Sequence, residues 1–440
     1  MNDFTMNFSG SRKLQNRFHA AIPGGAHTYA KGDDQFPEFC APYIVRGDGC
    51  HVWDVDGNKF LELSMGLRAV TLGHAYKPVV DAAYQQMLKG SNFGRPSTLE
   101  LECAEQMLDM ITGAEMVKFA KNGSDATNAA VKLARAYTGR DLVAVCVDHP
   151  FFSVDDWFIG TTPMNAGIPK AVQELTVNFR YNDIQSLENL FAQHPNQIAC
   201  VIMEPEKGNG PVDNFLNQVQ QLCRKHGTIF ILDEMITGFR WHNGGGQAYH
   251  NIQPDLSTFG KALGNGFSIA ALVGKHELME LGGLQHNKER VFLLSLTNGA
   301  ESGPLGAGLE TMRIYQREPV IEHLWKQGER LGKAVNRSIT EHNLEGFVEV
   351  IGKSCCLVYA TRDQNKKASQ AFRTLFLQET IRRGLLAPSL IVSYSHGDAE
   401  IDQIAEIIHE ALHVYRKALD EGIDKYLEGD PVKPVWRKYN

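Results

Sequence analysis

The sequence predicts an α/β protein: a large domain with a mostly parallel central sheet plus a smaller α+β domain. Three observations carry that reading. Short runs that are apolar throughout, LVAVCV (142–147), ACVIM (199–203) and TIFIL (228–232), read as strands covered on both faces, since a half-exposed strand would alternate. Amphipathic helical segments lie between these runs, which is the strand–helix rhythm of a parallel sheet. After about residue 310 the rhythm shifts to long helices around a small strand set, EGFVEVIG (345–352) and SCCLVYA (354–360).

At 440 residues the chain exceeds one simple core, so two domains are expected. Residues 66–305 make the expected large domain and 306–440 the C-terminal small one. Residues 1–65 form an N-terminal segment that joins the small domain. Within that segment HVWDVDGNKFLEL (51–63) alternates around Asp56-Gly57, a hairpin signal. KNGSDATNAAVKLARAYTGR (121–140) is the clearest helix start, with a stripe of Ala126, Ala129, Ala130, Leu133, Ala134 and Tyr137. Ser124 is placed to cap it, Gly123 to bend the backbone before it, and Gly139 to close it. VQQLCRKHG (219–227) ends in a glycine in the same way. The last strong helix, DQIAEIIHEALHVYRKALDEG (402–422), is amphipathic. Cys355 and Cys356 read as strand residues.

Composition removes several classes of function. Hydrophobic residues at 43% and charged residues at 22% are ordinary for a globular chain, so disorder is not expected. A net charge of −7 without a long basic stripe argues against a nucleic-acid partner. No apolar run is long enough to span a membrane, and the N-terminus lacks the apolar core of a signal peptide. The eight cysteines are scattered without metal-ligand spacing, so no metal is expected, and reduced thiols point to the cytoplasm. FGKALGNG contains Gly-Lys, but Ala262 stands where a nucleotide-binding loop needs Ser or Thr.

Three features carry chemistry. The apolar run TIFIL leads directly into Asp233 and Glu234, and carboxylates at the mouth of a buried strand need a positive partner. The helix start at Gly123 and Ser124 offers unpaired N–H groups and the positive end of a helix dipole, a ready anion site. Lys261 lies between Phe259-Gly260 and Ala262-Leu263, where burial would lower its pKa and make the amine nucleophilic. Taken singly, each has a plain structural reading as a capped helix, a paired acid or a surface lysine. Taken together they suit one ligand, a phosphorylated pyridine aldehyde. Its phosphate takes the helix start, its aldehyde Lys261 and its ring nitrogen Asp233. Glu234 reads as structural, since one acid suffices.

The chain resembles the class III pyridoxal-phosphate-dependent aminotransferases, and within them the group similar to glutamate-1-semialdehyde 2,1-aminomutase. DEMITGFR (233–240) looks like the family's Asp-Glu-Val-x-Thr-Gly-Phe-Arg, FGKALGNG (259–266) like its lysine loop, and NGSDATNAAVKLARAYTGR (122–140) like its phosphate helix. The likeness runs from IPGGAHTYAKG (22–32) to the C-terminal region. It implies fold type I, the aspartate aminotransferase-like fold, with pyridoxal 5'-phosphate as cofactor. Lys261 would form the Schiff base and shuttle the proton, and Asp233 would keep the ring nitrogen protonated. Met235 stands where the family has Val, against one ring face, and Phe151 where an aromatic stacks on the other. Phe152 replaces a frequent His. Gly123 and Ser124 would hold the phosphate. Thr297 aligns with a threonine that reaches the neighbouring subunit's phosphate, which implies a homodimer with its active site at the interface. Glu204, in MEPEKGNGP, would lie beside the cofactor or serve structure alone.

The implied reaction is a ping-pong transfer from a small-molecule amino donor to a carbonyl acceptor, an aldehyde or ketone that is possibly hydroxylated or sugar-like. The alternative is intramolecular transfer of the aminomutase type. The aminomutase carries a Ser/Arg pair after its N-terminal Pro-Gly-Gly, whereas this chain has AHTYAKGDD with Lys31 as the nearby cation. Its segment LLAPSLIVSYSHGDAEID also looks shortened. His27, Thr28, Tyr29 and Lys31 are the candidates for lining the substrate site.

Overall fold

The computed structural model describes residues 6–149, 151–206 and 208–440. The chain divides into two compact units. One comprises Arg68–Val70 and Lys77–Ile321, and the other the described residues of Met1–Leu67, Thr71–Tyr76 and Glu322–Asn440.

The Lys77–Ile321 unit is built on a seven-stranded sheet. Its strands are β1 (Met116–Ala120), β2 (Leu142–Cys146), β3 (Thr176–Phe179), β4 (Ile198–Met203), β5 (Ile229–Asp233), β6 (Leu256–Phe259) and β7 (Ala270–Gly274). Their spatial order is β1-β7-β6-β5-β4-β2-β3. The strands β3, β2, β4, β5 and β6 pair in parallel, and β7 runs antiparallel to both β6 and β1. The continuously apolar runs explain this. Every residue of β2, β4, β5, β6 and β7 is buried, so these five strands meet water on neither face, whereas the edge strands β1 and β3 are partly exposed.

The helices that matter here are α1 (Lys77–Met87), α2 (Thr98–Met110), α3 (Gly123–Thr138), α4 (Ile184–Gln193), α5 (Phe215–His226) and α6 (Ser302–Arg317). On one face Leu187, Leu190, Phe215, Leu216 and Val219 of α4 and α5 pack with Ala144, Val201, Phe230 and Leu232 of the strands. Helix α3 packs against β4, β6 and β7. The sequence reading closes the large domain at residue 305. Helix α6, however, packs along α1 and α2, so this unit runs on to Ile321.

The start of α3 differs from its expected form. Asn122, not Ser124, is the cap: its side chain accepts the Asp125 N–H at 3.2 Å, while Asp125 Oδ2 accepts the Asn122 N–H at 3.1 Å. That reciprocal pair is a capping box in which Asn and Asp replace the usual residues. Gly123 has an ordinary helical backbone, so its lack of a side chain serves a close approach rather than a bend. Gly139 closes the helix at φ +65°, and Tyr137 on the supposed apolar stripe is 40% exposed.

The other unit holds a four-stranded sheet of Ile44–Asp48, His51–Asp54, Lys59–Glu62 and Leu385–Leu386. The hairpin turns at Gly57, φ +85°. Val348–Ile351 and Val358–Thr361 form a separate antiparallel pair. Cys355 and Cys356 belong to a one-turn helix, Ser354–Cys356, between those strands and not to a strand, and both are buried. The long helix begins at Asp398, four residues earlier than the apolar stripe suggests, and ends at Glu421.

Replacing Asn122 with Ala removes the acceptor for the Asp125 N–H at the start of α3 and should cost about 1 kcal/mol. The urea midpoint of the cofactor-free protein falls accordingly, and Asn122→Ser restores most of it. Equal loss in both variants would show that the capping bond contributes nothing.

Candidate active site

The site is assembled at the C-terminal ends of β4, β5 and β6. Successive side chains of extended chain face opposite sides, so Asp233, which ends β5, and Glu234, which follows it, part company. Glu234, with no exposed surface, accepts hydrogen bonds from the Thr237 hydroxyl and from the Gly246 and Gln247 N–H groups at 2.7 and 2.6 Å. Burial pushes its carboxyl up to about 7, against those donors. Its work is structural: it ties the short helix Gly245–Tyr249 to the strand end.

Asp233 is 2% exposed. Its Oδ1 accepts the Met235 N–H at 2.9 Å and the Thr258 hydroxyl at 3.3 Å. Burial raises its pKa to about 6, with the positive charge of Lys261 as the largest opposing influence.

Lys261 follows β6 and Gly260. Its backbone lies in the left-handed region at φ +45°, which costs a non-glycine residue roughly 1–2 kcal/mol. Burial lowers the pKa of the amine, while Asp233 and then Glu204 pull it back up. Glu204, just past β4, is 4% exposed, and its N–H donates to His149 Nδ1 at 3.0 Å.

The N-terminus of α3 completes the group. Gly123 and Ser124 are its first two residues, whose N–H groups have no partner within the helix. Ser124 is 6% exposed, and its Oγ accepts the Val154 N–H at 3.1 Å, so its own proton is free to be donated. A methyl group on Gly123 would lie 2.8 Å from Met235 Sδ, and one on Gly260 would lie 2.7 Å from the same sulfur. Met235 thus packs against both glycines and links the anion cradle to the lysine turn.

Of the sequence-predicted residues, Gly123, Ser124, Asp233, Met235, Lys261 and Glu204 are brought together in this way. Phe151 is 43% exposed with its ring edge-on to Phe158 at 5.7 Å. Phe152 is buried, and its carbonyl accepts the Thr127 hydroxyl at 2.8 Å. Thr297 is exposed, its carbonyl accepting Asn92 Nδ2 at 3.0 Å. His27, Thr28, Tyr29 and Lys31 lie in the other unit and are all exposed, with Tyr29–Lys31 forming a single turn of helix. Thr258 and His149 carry no motif. The one available signal was a hydroxyl at 258 within a wholly buried strand.

Residues 28–412 match the family model for class-III aminotransferases. The chain belongs to that family. It is 34% identical over 371 residues to a glutamate-1-semialdehyde 2,1-aminomutase of Haloarcula marismortui, covering 81% of each chain. It is 31% identical over 420 residues to the enzyme of that name from Aeropyrum pernix, covering 91% of this chain and 96% of the other. Among solved structures, an omega-transaminase from Sphaerobacter thermophilus superposes with a TM-score of 0.83 at 25% identity, over 93% of this chain and 98% of that one. The FumI protein of Sphingopyxis sp. MTA144, a structure with pyridoxal phosphate, gives 0.85 at 24% identity over 93% and 97%. The fold is fold type I, and the protein is an enzyme of the pyridoxal-phosphate class. The residues present fit that cofactor: two unpaired N–H groups and a hydroxyl suit its phosphate, a buried acid its ring nitrogen and the amine of a partly buried lysine its aldehyde.

The raised Asp233 pKa has a consequence for stability. A carboxyl shifted from 3.8 to about 6 on folding destabilises the native state progressively as pH rises through that interval, and fully above it. Asp233→Asn removes this penalty. In cofactor-free protein the variant should gain on the wild type between pH 4 and 7 by up to about 3 kcal/mol. A pH-independent difference between the two urea midpoints would contradict the assignment.

Proposed function

We propose that the enzyme relocates an amino group within one substrate, the reaction type of glutamate-1-semialdehyde 2,1-aminomutase. The supporting observation is the reach of the likeness, which extends over 81% and 91% of this chain for two enzymes of that name and so includes both units. When bound, pyridoxal 5'-phosphate supplies an aldehyde that takes up the amino group and a ring that draws in the electrons left by a departing proton. Lys261 is the proton carrier. Burial lowers its pKa, so unprotonated amine is available to remove a proton from one carbon and return it to another. Asp233 holds the proton of the ring nitrogen, and Gly123 and Ser124 grip the phosphate. Met235 and Phe151 flank the ring, while Glu204 moderates the charge of Lys261.

One observation favours a second reading, ping-pong transfer from an amino donor to a separate aldehyde or ketone, possibly hydroxylated or sugar-like. The His27, Thr28, Tyr29 and Lys31 stretch offers an ammonium where the aminomutase has an arginine. An ammonium lacks the planar fork that clamps a carboxylate. Glutamate-1-semialdehyde supplied alone separates the two. Conversion to the isomer with the amino group on carbon 1, without any added donor or acceptor, supports the first reading. Failure to convert it, with turnover only when donor and acceptor are both present, supports the second. In either case Lys261→Ala should abolish turnover and the absorption band near ~400–430 nm that marks lysine-linked cofactor.

The enzyme is proposed to act as a homodimer in the cytoplasm. Exposed Thr297 is the residue that would reach the partner's phosphate. The eight cysteines are all buried thiols outside any disulfide, as suits a reducing compartment, and no described helix is long and apolar enough to cross a membrane. Mixing tests the dimer. Lys261→Ala and Thr297→Ala proteins, unfolded and refolded together, should recover up to about a quarter of wild-type activity, because half the dimers then hold one intact site. Activity no higher than that of Thr297→Ala alone at its diluted concentration would exclude a shared site.

A further inference from the structure

Thr258 lies on β6 opposite Asp233 in the parallel register and has no exposed surface. A hydroxyl so deeply buried has to be engaged. It donates to Asp233 Oδ1 at 3.3 Å, and the Thr258 carbonyl accepts the Glu234 N–H at 2.9 Å. The Met235 N–H reaches the same Oδ1 at 2.9 Å. Both of these hydrogen bonds fall on one oxygen, although a carboxylate accepts at two.

We propose that Thr258 is a positioning residue: with the Met235 N–H it ties down Asp233 Oδ1, presents Oδ2 to the ring nitrogen of pyridoxal phosphate, and keeps the shared proton on that nitrogen. This rests on the functional reading above. A donor to a carboxylate stabilises its charged form and weakens it as a base. Burial acts the other way, making Asp233 hold a proton more tightly, and the Thr258 hydroxyl opposes that pull. The charged groups around Asp233 are few. Lys261, on the turn after β6, also opposes burial, and Glu234 follows Asp233 directly after β5. Glu204, Arg68 and Arg240 act on Lys261. Val at 258 keeps the shape and removes the donor, whereas Ser keeps the donor and loses a methyl group.

Two measurements on Thr258→Val and Thr258→Ser test this. In cofactor-free protein, the upper end of the pH interval over which Asp233 weakens stability should rise by about one unit in Thr258→Val and stay in place in Thr258→Ser, the lower end being set by the unfolded chain in both. In loaded protein, cofactor labelled with nitrogen-15 in its ring should show a resonance displaced toward unprotonated nitrogen in Thr258→Val, with the wild-type position in Thr258→Ser. A wild-type resonance in Thr258→Val overturns the proposal. So does equal displacement in both variants, which would assign the effect to packing of the methyl group. Failure of the wild type itself to show the lysine-linked band overturns the functional reading, and this proposal with it.

Discussion

The structure depends on an acid and an amine sharing one buried space. Asp233 ends a strand with no exposed residue, and Lys261 sits on the turn after the adjacent strand. Each group lowers the free energy of the other's charged form. Burial alone would leave both neutral, because an isolated charge in a dry interior is far too costly. Their mutual attraction works against burial, which still leaves Asp233 raised to about 6 and Lys261 below its ordinary range. Groups so poised change protonation at little cost, which is what a site that moves protons near neutral pH requires. Such a site works against stability, and the surrounding sheet offsets the cost by fixing the two strand ends in register.

Much of this was legible in the sequence, and the reasons are physical. A parallel sheet covered on both faces needs unbroken apolar strands, so β2, β4 and β5 showed themselves within a residue at each end. The anion cradle and the lysine turn were visible because glycine, a small hydroxyl residue and a lysine between apolar neighbours are unusual in those places. The cap of α3 was misread because the capping box here is written with Asn122 and Asp125. The bend assigned to Gly123 was misread because a glycine needed for a close approach looks the same in sequence as one needed for a turn. Only the position of Met235 Sδ separates the two. Cys355 and Cys356 sit in an apolar run too short for period alone to distinguish strand from turn. Thr258 was missed because its partner is 25 residues away in sequence and adjacent only through strand pairing.

The residues proposed for the cofactor and those proposed for the substrate differ in their structural setting. The residues proposed for the cofactor sit on strand ends and a helix start, whereas Tyr29 and Lys31 lie in an exposed one-turn helix, with His27 and Thr28 in the exposed loop before it. Rigid parts set which chemistry is possible, and adaptable parts set which molecule receives it. Similarity over the whole chain therefore carries more information about reaction type than about the exact substrate.

The sulfur of Met235, pressed against two glycines, has one more consequence. The three positions share one space: a methyl group gained at 123 or 260 requires the Met235 side chain to shift or to shrink. Sequence change at any of the three is therefore conditional on the others. A lineage that replaces Met235 with a smaller residue opens room for alanine at either glycine, while one that keeps Met235 accepts alanine there only by swinging that side chain aside.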